Sequence, residues 1–247
     1  MNIRGLIKVN SLSADYFCAA LGRSVKAQEY VRARLPQNII DSYKIGYAPP
    51  SGLIDHLNAH NIEEHNALEV GVIGKDTKDS TYYETFRKRI MVPIVHAGAI
   101  VGFGGRDITG RSGSKYLNSK KSVLYDKSAV LYGLWRAIEH IDALGYVILV
   151  EGYFDVLSLK AVGISNAVAS CGTALTEKHV NAIKLFTDTV YILMDGDSPG
   201  QNAAGKARKL LQKKGLHTNV AILPDEKDPD DFVKEFGKDE LLNLIGA

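Results

Sequence analysis

At 247 residues, with 45% hydrophobic and 23% charged side chains, the chain has an ordinary globular composition and room for one large domain or two small ones. No apolar run reaches the roughly 18 residues of a membrane helix, and "MNIRGLIKVNSLSADYF" lacks the apolar core of a secretion signal, so a cytoplasmic protein with no membrane partner is expected. The two cysteines, Cys18 and Cys171, are too few for a zinc module in this chain and give no disulfide framework. A net charge of +2 says nothing by itself about nucleic acid, but its distribution does. Residues 81–127 carry nine Lys or Arg against three Asp or Glu, whereas "DEKDPDD" at 225–231 is nearly all acidic.

Apolar spacing from Ala14 to about Leu35 predicts a helix ending near Pro36, and "QNIIDSYKIG" predicts a second that stops at Gly46 before the turn "YAPPSG". "LIDHLNAHNI" and "EEHNALEVGVI" read as short amphipathic helices. "RIMVPIVHAGAIVGFGGRDI" reads as two strands around the turn "HAGA", ending in a glycine cluster. The pattern changes between about residues 120 and 140, which divides the chain into 1–130 and 131–247. In the second part, "LYGLWRAIEHIDALG" is a helix closed by Gly145. Four strands follow, "YVILV", "SNAVAS", "TVYILM" and "TNVAIL", the first three each leading into an amphipathic helix. Short Val/Ile/Leu strands alternating with helices predict a parallel sheet flanked by helices. The fold class is therefore α/β: a mixed α+β basic subdomain followed by a parallel-sheet domain.

Loops leaving the C-terminal ends of parallel strands converge on one edge, where such folds bind ligands. Glu151 follows "YVILV", Asp195 and Asp197 follow "TVYILM", and Asp228 and Asp230 follow "TNVAILP". Asp155 lies one helical turn beyond Glu151. Asp197 alone reads equally well as a helix cap. Acids from three strand ends, with Gly152 and Gly196 opening the backbone beside them, instead point to a shared cation. Oxygen-only ligands select a hard ion, Mg²⁺ or Mn²⁺.

A Glu-Gly after one strand and an Asp-x-Asp after a later one resembles the Toprim fold of primases, topoisomerases, recombination mediators and some nucleases. "VEGYFDVLSLKAVGISNAVASCGTALTEKHV", "FRKRIMVPI", "IVGFGGRDITGRSGSKYLNS", "LYDKSAVLYGL", "LPDEKDPDDFV" and "YVRARLPQNIIDSYKIGYAPP" are similar, in order, to segments of DnaG-type primases. The resemblance covers roughly residues 14–240. It implies a Toprim domain at 131–247 in which Glu151, Asp195, Asp197, Asp228 and Asp230 hold two or more Mg²⁺ or Mn²⁺ ions, with Asp155 in support. It also implies that the preceding segment forms a basic ridge facing that site. The matching positions are Arg34, Arg87, Arg89, Arg106, Lys115 and Lys127, which would contact template or incoming nucleotides. Polyanion binding by Lys and Arg fits the charge sorting, and Gly102, Gly104 and Gly105 would let backbone amides approach phosphate. Arg111, Lys120 and Lys121 match no motif. Tyr82, Tyr83, Tyr116 and Tyr125 read as packing residues before stacking platforms, and His179 reads as a surface residue.

The function implied is synthesis of short RNA primers from ribonucleoside triphosphates on single-stranded DNA, by metal-dependent nucleotidyl transfer in a bacterial, phage or mobile-element setting. Partners implied are a replicative helicase and a zinc-binding domain or protein supplied separately. By its length the chain is expected to be an excised core, a minimal primase or half of a split system. The alternatives are a non-catalytic nucleic-acid-binding Toprim module and a Toprim nuclease.

Overall fold

The computed structural model describes residues 2–111, 113–224 and 227–247, so Asp225 and Glu226 of the acidic run and Ser112 of "GRSGSKYLNS" lie outside the described residues. The chain divides into two compact units, Met1–Asp126 and Lys127–Ala247. No helix among the described residues is long and apolar enough to cross a membrane.

The first unit opens with α1 (Ile3–Gly22), which starts well before the expected Ala14. Its buried face includes Asn10 and Ser13, polar residues that interrupt the apolar stripe; the Asn10 amide donates to the Ile100 carbonyl at 3.0 Å. The expected single helix breaks at Arg23, and the Ser24 hydroxyl caps α2 (Val25–Arg32). α3 (Gln37–Ser42) also stops short of Gly46, after which Lys44 takes a positive φ of 51°. Gly46 opens β1 (Gly46–Ala48) rather than closing a helix. A Cβ there would sit 2.5 Å from the Phe17 Cβ, so only glycine lets this strand lie against α1.

α4 (Leu53–Ala59) and α5 (Glu64–Val70) precede an antiparallel pair, β2 (Ile73–Lys75) and β3 (Tyr82–Glu84). α4 has no capping side chain of its own. Glu84, at the end of β3, accepts instead from the N–H groups of Gly52, Leu53 and Ile54 at 2.6, 2.7 and 3.3 Å. This places a buried carboxylate on the positive end of a helix. β4 (Arg89–His96) and β5 (Ala99–Asp107) form the expected hairpin, with β6 (Tyr116–Asn118) alongside, in the antiparallel order β1-β4-β5-β6. Phe103 packs edge-on against Phe17 at 5.5 Å between ring centroids and against Phe86 at 6.3 Å, anchoring the core between helices and sheet.

The second unit follows the alternation read from sequence. α6 (Leu134–Leu144) ends at Gly145, whose φ of 77° supplies the left-handed C-cap. Then come β7 (Val147–Val150), α7 (Tyr153–Ala161), β8 (Ala167–Ala169), α8 (Glu177–Ile183), β9 (Thr189–Met194), α9 (Ser198–Lys213), β10 (His217–Ile222) and α10 (Pro229–Ile245). The sheet is parallel in the order β10-β9-β7-β8. Val147, Leu149, Val190 and Ile192 are buried under α6 and α9 residues such as Ile141 and Leu211. α10 was not expected, although Asp228 at its N-cap and Pro229 in its first turn are helix-start signals.

Candidate metal centre and nucleic-acid interface

The second unit brings the strand-end acids together through its backbone. The N–H of Asp195, leaving β9, donates to Glu151 Oε1 at 3.3 Å, leaving β7. The N–H of Gly196 donates to the Lys227 carbonyl at 2.9 Å, tying in the loop after β10. Asp197 and Asp228 are both helix N-caps, accepting from Gly200 and Asp231 N–H at 2.7 Å each. Capping therefore accounts for one oxygen of Asp197 and leaves the other for chemistry. Gly200 is required for this turn, because a Cβ would fall 2.2 Å from the Asp195 carbonyl oxygen. Asp155 is buried on α7 and accepts from Gly152 N–H at 2.7 Å, which fixes the turn carrying Glu151.

These carboxylates repel one another. Burial first, then the charges of Asp195, Asp228 and Asp230, push the Asp155 carboxyl up to about 8, against the opposing Gly152 N–H bond. Burial, with Asp197 adding to it, raises Glu151 against the Asp195 N–H bond. Burial also raises Asp228. Asp230 is buried, accepts from the Ser158 hydroxyl, and pairs with Lys234 at 2.6 Å, which ties it to α7 and α10. Asp231, which sequence reading passed over, is exposed. One oxygen each from Asp228, Asp230 and Asp231 lie within 4.8 Å of one another. An oxygen-only set of crowded carboxylates fits a hard divalent cation, which would relieve the repulsion.

His179 is buried rather than at the surface, because both ring nitrogens find backbone partners. Nδ1 accepts from Thr176 N–H at 3.3 Å, so Nε2 carries the proton and donates to the Lys127 carbonyl at 3.0 Å. The Thr176 hydroxyl donates to the Ser128 carbonyl at 2.5 Å. The backbone at Lys127 is thus clamped from the start of α8 while its side chain stays exposed.

In the first unit, the expected cations divide. Arg106 donates from Nε to the Tyr30 hydroxyl and from an η nitrogen to the Tyr116 hydroxyl. Arg34 lies over the Tyr30 ring with its guanidinium 4.0 Å from the centroid and donates to the Tyr30 carbonyl at 3.2 Å. Tyr30, absent from the sequence reading, therefore braces two arginines. Arg87 and Lys115 are exposed. Arg89 is not available to phosphate. It is 6% exposed and donates to the carbonyls of Gly105 and Ser114 at 3.0 Å and of Lys115 at 3.4 Å. Burial lowers its pKa from the usual value, and Asp107 opposes that shift. The glycines serve packing: a Cβ on Gly105 would lie 2.9 Å from the Phe86 ring and 3.1 Å from Arg89 Cδ, and one on Gly102 would press on Ser119 and Tyr125. Tyr125 is buried, as packing requires, whereas Tyr83 is exposed beside Gly74.

Residues 16–138 match the family model of the DNA primase catalytic core, N-terminal domain, and residues 148–233 match the Toprim-like model. A DNA primase domain from Pseudomonas aeruginosa superposes with a TM-score of 0.91 at 32% identity, over 98% of this chain and 78% of that one. The chain belongs to the DNA primase family. Among other primases, that of Aquifex aeolicus is 39% identical over 238 residues, which is 94% of this chain and 47% of the Aquifex protein. The chain thus spans about half the length of that relative. The crystal structure of the Aquifex zinc-binding and RNA polymerase domains gives a TM-score of 0.92 at 37% identity, over all of this chain and 63% of that one. A DnaG primase catalytic domain bound to ssDNA gives 0.89 at 29% identity, over 98% and 78%. The primase N-terminal match contains Arg34, Arg106 and Lys127, and the Toprim-like match contains Glu151, Asp155, Asp195, Asp197, Asp228, Asp230 and Asp231.

Proposed function

We propose that this chain is the catalytic core of a DNA primase of the bacterial cytoplasm, joining ribonucleotides into short RNA on a single-stranded DNA template. The observation that carries this reading is the set of strand-end acids that act on one another: burial with Asp195, Asp228 and Asp230 pushes the Asp155 carboxyl up to about 8, and Asp197 acts on Glu151. Glu151, Asp195, Asp197, Asp228 and Asp230, with Asp231 beside them, would hold Mg²⁺ or Mn²⁺; Asp155 holds the turn that carries Glu151. When bound, two or more such ions supply charge neutralisation at the triphosphate and activation of the attacking 3′-hydroxyl. A cleft of about 490 Å³ beside Glu151, lined by Thr173, Asn202 and Lys206 among others, has the size of a nucleotide site. The His179 clamp supports a nucleotide-binding role for the exposed Lys127. Arg34 and Arg106, braced by Tyr30, would hold phosphates of the template or of an incoming nucleotide. A zinc-binding domain, present in the Aquifex structure, and a replicative helicase are the partners this reading calls for.

The test is primer synthesis on single-stranded DNA with labelled ribonucleotides and Mg²⁺ or Mn²⁺. Short labelled RNA is expected from the wild type and none from the Asp195→Asn, Asp197→Asn double variant. Wild-type DNA binding with no product in either metal, even after a primase zinc-binding domain is added, would favour a non-catalytic binding module. Cleavage of the template in place of synthesis would favour a nuclease.

A further inference from the structure

The loop that leaves β8 is fixed at both ends and open in the middle. At its start the Cys171 N–H donates to the Glu151 carbonyl at 3.0 Å, and Cys171 and Gly172 take successive positive φ angles of 51° and 81°. The first is rare for a residue with a Cβ, so the bond to Glu151 holds a conformation the chain would otherwise leave. The Thr173 hydroxyl donates back to the Ser170 carbonyl at 2.9 Å. At its end, Thr176 and His179 are tied to the carbonyls of Ser128 and Lys127. Between these ties, the N–H groups of Gly172, Thr173, Ala174 and Leu175 donate to no protein acceptor among the described residues.

The same four residues line the cleft of about 490 Å³ beside Glu151, which α9 lines with Asn202 and Lys206. Lys206 is exposed and, among the described residues, forms no ion pair. Open N–H donors on a fixed backbone, with an unpaired ammonium at the same concavity, make a site for phosphate oxygens.

The sheet order decides which reactant the cleft can serve. β7 lies between β9 and β8, so Asp195 and Asp197 follow the strand on one side of Glu151 and the loop follows the strand on the other. Joining two ribonucleotides brings the 3′-hydroxyl oxygen of one onto the α-phosphorus of the other's triphosphate. A P–O bond forms, the bond to pyrophosphate breaks, and the hydroxyl proton passes to water. The triphosphate that loses pyrophosphate develops charge and belongs with the acids after β9 and β10. Of the acids described, Glu151 alone lines the cleft, so the cleft suits the other reactant. When a primer is begun, that reactant is itself a nucleoside triphosphate. Its own 5′-phosphates do not react and need donors away from the acids.

We propose that the 172–175 loop and Lys206 form the 5′-triphosphate site for the nucleotide that begins the primer, with its 3′-hydroxyl toward Glu151. The inference rests on the primer-synthesis reading and divides its two nucleotides between the two sides of Glu151.

The experiment is binding of labelled ATP to the whole chain by equilibrium dialysis in EDTA, where the acids hold no metal to recruit a triphosphate. Tripolyphosphate should compete and adenosine should not. Lys206→Gln and Ala174→Pro, which remove one ammonium and one N–H, should each weaken binding about tenfold, the worth of a hydrogen bond to a charged group. Lys206→Arg and the exposed α9 control Lys213→Gln should keep wild-type affinity. Thermal melting shows whether Ala174→Pro folds; Lys206→Gln, on an exposed helix face, carries the test if it does not. In synthesis, the same variants should raise the KM of the starting nucleotide by a similar factor and leave extension of an annealed RNA primer unchanged. ATP affinity unchanged in Lys206→Gln overturns the proposal. So does an equal loss of initiation and extension, which would give the cleft to the extending nucleotide. If ATP binding responds as expected yet the wild type makes no RNA, the catalytic reading falls and the triphosphate site stands.

Discussion

The two units place charge by opposite means. In the second, carboxylates are set by backbone: each follows a strand or caps a helix, and N–H groups of Gly152, Asp195, Gly200 and Asp231 hold them in position. In the first, cations are set by other side chains and by carbonyls, with Tyr30 and Tyr116 bracing Arg106 and with the sheet rim enclosing Arg89. Backbone placement crowds like charges at fixed distances and leaves their repulsion for a bound ion to relieve. Side-chain placement lets cations spread along a surface and suits a flexible polyanion.

If the contrast holds, the largest stability effect should come from Arg89, which serves the fold and not the surface. Arg89→Leu would leave the carbonyls of Gly105 and Ser114 short of a buried donor, costing about 3 kcal/mol in urea denaturation. A loss below 1 kcal/mol, with weakened DNA binding instead, would return Arg89 to the ridge. Next is His179→Leu, which removes the donor to Lys127 and the acceptor for Thr176. A loss of about 2 kcal/mol is expected, with faster hydrogen exchange at the start of α8.

The acidic cluster should reveal itself through pH. Asp155 is protonated more readily in the folded chain than in the unfolded one, so its contribution favours folding below about pH 4. That contribution is lost as pH rises toward about 8. In EDTA, the melting temperature of the wild type should therefore fall across pH 5–8 relative to Asp155→Asn, and Mg²⁺ should reverse the fall at the upper end. A flat difference would mean that burial and the neighbouring carboxylates do not raise Asp155. The smallest effect belongs to Tyr30→Phe. It keeps the ring under Arg34 and removes the oxygen that accepts from Arg106, so oligonucleotide affinity should drop about three- to tenfold, equivalent to about 1 kcal/mol.

What could be read in the sequence follows the same division. The acids of the second unit were legible because parallel strands place their ends together by topology, so position along the chain gives position in space. Asp231 was passed over because "DPDD" reads as a solvated loop until the helix that begins there is recognised. The first unit hid more. Asn10 and Ser13 lie on the buried face of α1 and disguised its first half as loop. Arg89 looks like any surface cation, since the carbonyls that enclose it come from residues 105–115, beyond any local pattern. The same holds for His179, whose partners at Thr176 and Lys127 are backbone groups that carry no sequence signature. Gly105 was the available signal: a glycine paired with Met91 in mid-sheet marks space that a neighbouring side chain fills.

The most direct test is calorimetric titration of Mn²⁺ into the metal-free chain at pH 7, in buffers of different ionisation enthalpy, for the wild type and for Asp195→Asn, Asp197→Asn. Saturable binding that releases protons in the wild type and disappears in the double variant is the predicted result. Binding of equal strength in both proteins, or none in the wild type, would contradict a cation site at the strand ends.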